Sequence, residues 1–214
     1  MRTKKKIPMY IAVQLEGSYN GKRVWLPLPA NQSKFDEAIE KIDGDYGCFV
    51  IKEYTCRVPA MGRCMLEVTP LSVVNYLAAR LNRLEDEEIL KLCAICDGDH
   101  YFDRVGQFID YTFQTSCYKL LTGITNEEEL GMFHIGNPKH HISDVVLKQC
   151  IDRREFGERL AKAENGVFTP HGYLTSSIGW DLPPKERHVP ASLNLKGYLG
   201  EDLYGNWDEY DKAI

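Results

Sequence analysis

Apolar and polar residues alternate at the start of the chain and then give way to apolar repeats every three or four positions, so the sequence predicts strands first and helices after. Met9 to Leu15 and Val24 to Leu28 read as strands around an Asn20-Gly21 turn signal. Ser33 and Asp36 have capping-box spacing, and Phe35, Ala38, Ile39 and Ile42 then recur at helical intervals to form one buried face. Cys48 to Tyr54 returns as a strand, which makes the first 60 residues an α+β unit.

A loop rich in Pro and Gly, Arg57 to Gly62, separates this unit from a helical stretch. There Thr69 is placed to cap a helix with Pro70 at its first position, and Val74, Leu77, Ala78, Leu81 and Leu84 make its stripe. A second helix is expected from Asp86 to Cys96, and Phe102, Val105, Phe108 and Ile109 mark a third. Beyond Gly131 a helix from Arg154 to Glu164 turns Phe156, Leu160 and Ala163 inward and stops at Asn165-Gly166. Short strands follow at Val167 to Thr169 and Tyr173 to Ser176, turned by Pro170-His171-Gly172. The expected architecture is α+β, in three small consecutive units: 1–62, a mainly helical 63–130, and 131–214. The last ends in a tail where Glu201, Asp202, Asp208, Glu209 and Asp211 mix with Tyr198, Tyr204, Trp207 and Tyr210.

With 214 residues and 43% hydrophobic content, the chain can bury a real core. Arg2 and Lys4 to Lys6 before Ile7 to Val13 look superficially like a signal peptide, but Pro8 and Gln14 interrupt the apolar run and no small-residue cleavage site follows. No later stretch is long and apolar enough to span a bilayer. Seven cysteines, odd in number and without framework spacing, fit a reducing compartment, so the expected location is the cytoplasm.

Charge changes the picture more than composition does. Residues 1–83 carry eight acids against thirteen Lys and Arg, whereas residues 84–214 carry twenty-three acids against thirteen. A net charge of -5 therefore hides a basic half joined to an acidic one. A surface of one sign steers oppositely charged partners, so the acidic half is a candidate platform for a basic surface, such as one built to hold DNA. A surplus of carboxylates also keeps a protein soluble, and helix physics accounts for part of it. Glu85, Asp86, Glu87 and Glu88 open one helix, while Glu127, Glu128 and Glu129 open another behind Thr125, where Thr125 and Glu128 have capping-box spacing. Asp97, Asp99, Asp103 and Asp110 fall at or beyond a helix end and along the next helix, so they point more strongly to a functional acidic face.

Catalytic motifs are thin. Cys93-Ala94-Ile95-Cys96 is a CxxC that could join His100 and Cys117 around zinc, yet Ile89, Leu92, Cys93 and Cys96 also share one apolar stripe where cysteine packs as a small hydrophobe. Packing is the expectation, and no metal or cofactor is assigned. His134, His140 and His141 cluster around the Asn137-Pro138 turn signal as surface loop residues. His171 near Ser176 and Ser177 lacks a nucleophile elbow and a third orienting group. Neither a phosphate-cradling loop nor a dinucleotide fingerprint is present, and Asp97-Gly98-Asp99 has no further motif support for magnesium-dependent cleavage. No catalytic constellation emerges, so the chain is expected not to be an enzyme.

The order and spacing of several segments resemble the ArdA antirestriction family of mobile elements and phages, in particular the forms from Gram-positive gut bacteria. The likeness is carried by Met9-Tyr10-Ile11-Ala12, Tyr19-Asn20-Gly21-Lys22, Trp25-Leu26, Phe49 to Tyr54 and Asn75 to Leu81. It continues through Gln107 to Asp110, Cys117-Tyr118, Glu129-Leu130-Gly131, Glu155-Phe156-Gly157, Gly166 to Thr169 and Gly172-Tyr173. The resemblance implies an elongated chain of three small α+β domains, paired as a homodimer. It also implies that surface carboxylates imitate DNA phosphates and occupy the DNA-binding groove of a type I restriction-modification enzyme. On that reading nothing is cut or modified, because a groove lined by Lys and Arg binds polyanions through charge and counterion release. Two alternatives stay open: a DNA mimic aimed at another defence nuclease such as an RNA-guided one, and a zinc or thiol protein built on Cys93 and Cys96. Direct nucleic-acid binding through Lys4 to Lys6, Lys22 and Arg23 is the weaker reading, since a short basic tail more often frays.

Overall fold

Strand β1 (Ile11–Gly17) buries Ile11, Val13, Leu15 and Gly17 and leaves Ala12, Gln14 and Glu16 half-buried, the two-residue period that the sequence predicts. In the computed structural model, which describes residues 11–18, 20–43, 49–56, 58, 70–98, 105–137, 150–180 and 188–195, this strand is the centre of an antiparallel sheet. It lies between β2 (Arg23–Leu28) and β3 (Phe49–Thr55), with Gln14 opposite Trp25 on one side and Ala12 opposite Thr55 on the other. Helix α1 (Gln32–Asp43) covers one face by burying Phe35, Ala38 and Ile42. Its N-terminus is closed by Asn31, whose Oδ1 accepts from the Lys34 N–H at 3.0 Å, so the Ser33–Asp36 box is not the cap. An amide two residues earlier does that work. The Asn20-Gly21 turn forms as expected: Gly21 has φ +64°, and Asn20 Oδ1 accepts from the Lys22 N–H at 2.9 Å.

Helices α2 (Leu71–Leu81), α3 (Asp86–Asp97) and α4 (Val105–Tyr111) follow the predicted stripes, although Pro70 is the N-cap of α2 rather than its first residue. Thr69, Phe102 and the aromatic tail lie outside the described residues. Strand β4 (Tyr118–Leu121), preceded by a turn of 3₁₀ helix at Thr115–Cys117, interrupts what reads from the sequence as a helical stretch. Then come α5 (Glu127–Gly136), α6 (Arg153–Glu164), β5 (Val167–Thr169) and β6 (Gly172–Ser176). The stop after α6 is as expected, since Asn165 takes the left-handed conformation at φ +49° and the Gly166 N–H returns to the Ala161 carbonyl. The β5–β6 hairpin also forms where predicted, and β6 pairs with β4 to give a second antiparallel sheet in the order β4-β6-β5.

The fold is therefore mixed, with helices and two small antiparallel sheets. Its contacts gather into two compact units, each drawn from more than one stretch: unit 1 takes 1–85, 102–112 and 183–214, and unit 2 takes 86–101 and 113–182. The three helices expected to form one middle unit are shared out. Helices α2 and α4 pack together in unit 1, whereas α3 packs on β4 and β6 in unit 2. The reason is chemical: α3 buries five consecutive residues, Leu92 to Cys96, and needs a sheet to cover them.

A single amide organises the inside of unit 1. Asn75 of α2 is fully buried; its Oδ1 accepts from the Ala30 N–H at 2.7 Å and its Nδ2 donates to the Ala30 and Leu193 carbonyls, both at 2.9 Å. Ser72 adds a hydrogen bond from the Leu195 N–H at 3.0 Å, and Leu195 itself is fully buried. Unit 2 has a different centre, where Ile124, Leu130 and Tyr173 pack with Leu121, Leu160, Ala161 and Phe168. Its helices α5 and α6 meet backbone to backbone. A Cβ on Gly131 would overlap the Arg153 carbonyl, and one on Gly157 would overlap the Glu127 carbonyl. No helix among the described residues is long and apolar enough to cross a membrane.

Candidate acidic interface

Carboxylates collect where helices begin because four backbone N–H groups there lack intrahelical partners and carry partial positive charge. Helix α3 starts at Asp86, leaving Glu85 just before it and Asp86, Glu87 and Glu88 in its first turn. Glu85, Asp86 and Glu87 are exposed. Glu87 pairs with Lys91 one turn on at 3.0 Å, the lysine half-buried and the glutamate in solvent, an i,i+4 pair worth about a few tenths of a kcal/mol. Glu88 is turned inward: its Oε1 accepts from the Thr115 hydroxyl at 2.8 Å and so ties α3 to the segment before β4.

The second cluster is built one residue later than its spacing suggests. Asn126, not Thr125, is the N-cap of α5, and its side chain accepts from the Glu129 N–H at 2.9 Å. Glu129 answers, with Oε2 accepting from the Thr125 N–H at 2.7 Å and from its hydroxyl at 3.1 Å. These bonds to Thr125 hold the Glu129 carboxyl below its ordinary value. Glu127 and Glu129 are half-buried, and Glu128 projects into solvent.

The four aspartates singled out as the better functional evidence fare differently. Asp110 is 4% exposed inside α4, a short helix that also buries Val105, Phe108, Ile109 and Tyr111. It is not on an exposed face, and the expectation is corrected: a helix buried nearly all round has no polar side for it. Asp97 ends α3 with its Oδ2 3.0 Å from His171 Nε2, so it joins α3 to the β5–β6 turn. Nothing in the local sequence signals that pairing across 74 positions. Asp99 and Asp103 lie outside the described residues.

Among the remaining candidates, Cys93 and Cys96 are 7% and 1% exposed on the buried side of α3, in the setting of small core hydrophobes. No three His, Cys, Asp or Glu side chains converge on a metal position among the described residues. His134 is buried at 7% on α5 rather than exposed in a loop, because the helix runs on to Gly136; His100, His140 and His141 are outside the described residues. One surface feature escaped the sequence reading. Met132 and Phe133 on α5 are 51% and 41% exposed. The signal for it was present, since Leu130, Met132, Phe133 and Ile135 are too many apolar residues for one buried stripe.

What the site offers chemically is negative charge held on the starts of rigid helices: Asp86 and Glu87 on α3, and Glu128 on α5. Such an arrangement can engage a basic surface without any bond being made or broken. A comparison of the sequence with protein-family models and with curated proteins gives no match.

Proposed function

We propose that this protein is a non-catalytic antirestriction protein that presents carboxylates to the DNA-binding groove of a type I restriction-modification enzyme. The observation that carries the reading is the acid excess of unit 2, fourteen Asp and Glu against eight Lys and Arg, with Asp86, Glu87 and Glu128 exposed on helix starts. The order of ArdA-like segments along the chain supports the same assignment. A groove that binds duplex DNA by neutralising phosphates gains counterion-release free energy from any polyanion that fits, so spaced carboxylates compete with DNA without a base being read. Another defence nuclease with a basic channel is the second candidate target, since the same electrostatics would serve it.

The ArdA-like reading carries a different division from the two units described above: three consecutive domains with boundaries near 62 and 130, and a homodimer. Sedimentation and limited proteolysis of the full chain measure both. The structure also changes which residues make the useful variant. Asp110 is buried and Asp97 holds His171, so replacing them would confuse folding with charge. Asp86→Asn, Glu87→Gln and Glu128→Gln remove exposed charge and, with it, the Glu87–Lys91 pair within α3.

The decisive experiment titrates the protein into a purified type I enzyme cutting its DNA substrate, across a salt series. Inhibition that added DNA competes away and that salt weakens is the expected result, with a flatter salt dependence for the triple variant. A folded protein that leaves restriction untouched would sink the assignment, and inhibition of a different nuclease would move it to that target.

A further inference from the structure

Helix α5 has two sides with different tasks. Its inner side carries Leu130, Gly131, His134 and Ile135, all buried, and Gly131 brings the backbone of α5 against that of α6. That side completes the fold. The outer side carries Glu128, Met132 and Phe133, all exposed, and its geometry is fixed by the Asn126 cap and the Thr125–Glu129 bonds.

Residues four apart on a helix are neighbours, so Met132 stands one turn from Glu128, and Phe133 one turn from Glu129. Arg153 borders the pair on one side, with Nη1 3.6 Å from the Met132 sulfur. Among the described residues the other exposed large hydrophobics are Trp25, Val50, Phe113 and Ile178, each without an exposed large hydrophobic next to it in the chain. Single exposed hydrophobics are ordinary on any protein surface. Two adjacent ones on a rigid helix, in line with its acidic first turn, call for another account. Methionine and phenylalanine are enriched at the desolvated centres of protein interfaces, and DNA offers no comparable apolar pair at its phosphates.

We propose that Met132 and Phe133 form an apolar anchor that, with Glu128 one turn away on the same side of α5, seats on a basic protein surface. This rests on the antirestriction reading above and deepens it. The carboxylates supply attraction that salt screens, and the anchor supplies contact that salt does not screen. The partner is a protein groove whose Lys and Arg adjoin an apolar seat, a feature that duplex DNA leaves unused. A mimic with such an anchor holds its target at salt concentrations where charge alone would release it.

The test uses the full chain in three forms: wild type, Met132→Gln with Phe133→Gln, and the triple variant lacking the carboxylates of Asp86, Glu87 and Glu128. Each is titrated into a purified type I enzyme on its DNA from low to high salt, with circular dichroism and a melting curve to check folding. The glutamine pair should raise the half-inhibiting concentration by about tenfold or more at every salt while leaving the salt slope unchanged. The carboxylate variant should flatten the slope. Met132→Lys, a single change that keeps helix propensity, is the second variant: a basic partner repels it, so it should lose more inhibition than Met132→Gln.

If the wild type inhibits and the glutamine pair inhibits equally well, the anchor is overturned and the antirestriction reading stands. If the wild type does not inhibit, both fall. If the glutamine pair turns a wild-type dimer into a monomer in sedimentation, the occupant of this face is a second copy of the chain, and the proposal is again overturned.

Discussion

Unit 1 and unit 2 are closed by opposite means. Unit 1 depends on one buried side-chain amide that gathers chain from far apart, the Ala30 and Leu193 backbones meeting at Asn75. Unit 2 depends on the lack of a side chain, since Gly131 and Gly157 let two helices touch through their backbones. Their charge differs as well. Unit 1 holds seventeen acids and eighteen Lys and Arg, so it is close to neutral, and unit 2 holds fourteen and eight. In unit 1, Glu16 stands between Arg23 at 2.5 Å and Lys52 at 3.6 Å, and Glu37 pairs with Lys41 at 2.6 Å. In unit 2 the helix α6 pairs are similar, Glu155 with Arg159 at 2.5 Å and Glu158 with Lys162 at 2.7 Å, but the first turns of α3 and α5 add acids beyond them. The contrast along the sequence, basic half against acidic half, is therefore not the contrast between the two units.

The largest break in this comparison should come from Asn75→Ala, which leaves the Ala30 amide and two carbonyls without their buried partner. At roughly 1–3 kcal/mol for each orphaned group, a loss of about 3 kcal/mol is expected. Urea unfolding reads the loss, and hydrogen exchange followed segment by segment should place it in α2 and residues 193–195 while α5 and α6 keep their protection. Equal loss of protection in both units would show that they unfold as one. Gly157→Ala attacks unit 2 instead. Its methyl group meets the Glu127 carbonyl and must push α5 and α6 apart, for about 2 kcal/mol of destabilisation. A melting temperature unchanged by this substitution would disprove the close backbone contact.

A smaller effect sharpens the picture at the end of α6. Asn165→Ala forces alanine into the left-handed region at about 1 kcal/mol, whereas Asn165→Gly should be neutral or better, a sign difference that thermal melts of the two variants resolve. The smallest concerns pH. Hydrogen bonds from Thr125 lower the Glu129 carboxyl from 4.5, and the Arg23 bond does the same for Glu16. A carboxyl lowered in the folded state contributes stability that is complete above its unfolded value near 4.5 and is lost as pH falls through the lower folded value. Glu129→Gln should therefore lower the melting temperature slightly at neutral pH and make its fall in acid shallower, so that the two proteins converge as pH drops below about 4.5.

Local periodicity made much of this fold legible. Phe35, Ala38 and Ile42 gave α1 its buried face, Leu92, Cys93 and Cys96 gave α3 its own, and Asn165-Gly166 marked a helix stop that the left-handed φ of Asn165 explains. What stayed hidden was decided at a distance. Strand β4 is four residues long and exists because β6 pairs with it, from Tyr118 opposite Ser176 to Leu121 opposite Tyr173. The caps at Asn31 and Asn126 displaced those expected at Ser33 and Thr125, since several polar residues in a row compete for the same orphan N–H groups. Asp110 failed for a related reason: charge in the sequence says nothing of burial when a short helix is covered on most sides. The exposed first-turn acids were legible, but the apolar pair beside Glu128 became visible only once the buried side of α5 had been accounted for.

The node at Asn75 also sets an order of events during synthesis. A ribosome delivers the chain from its first residue onward, yet the carbonyl of Leu193 that Asn75 binds emerges only after every residue of unit 2, whose last stretch ends at 182. The unit that begins first is thus finished last, and unit 2 can fold while α2 still waits for its partner. Until then the Asn75 amide lacks its Leu193 acceptor, and a ribosome stalled anywhere before residue 193 would leave unit 1 incomplete however much of its sequence had already appeared.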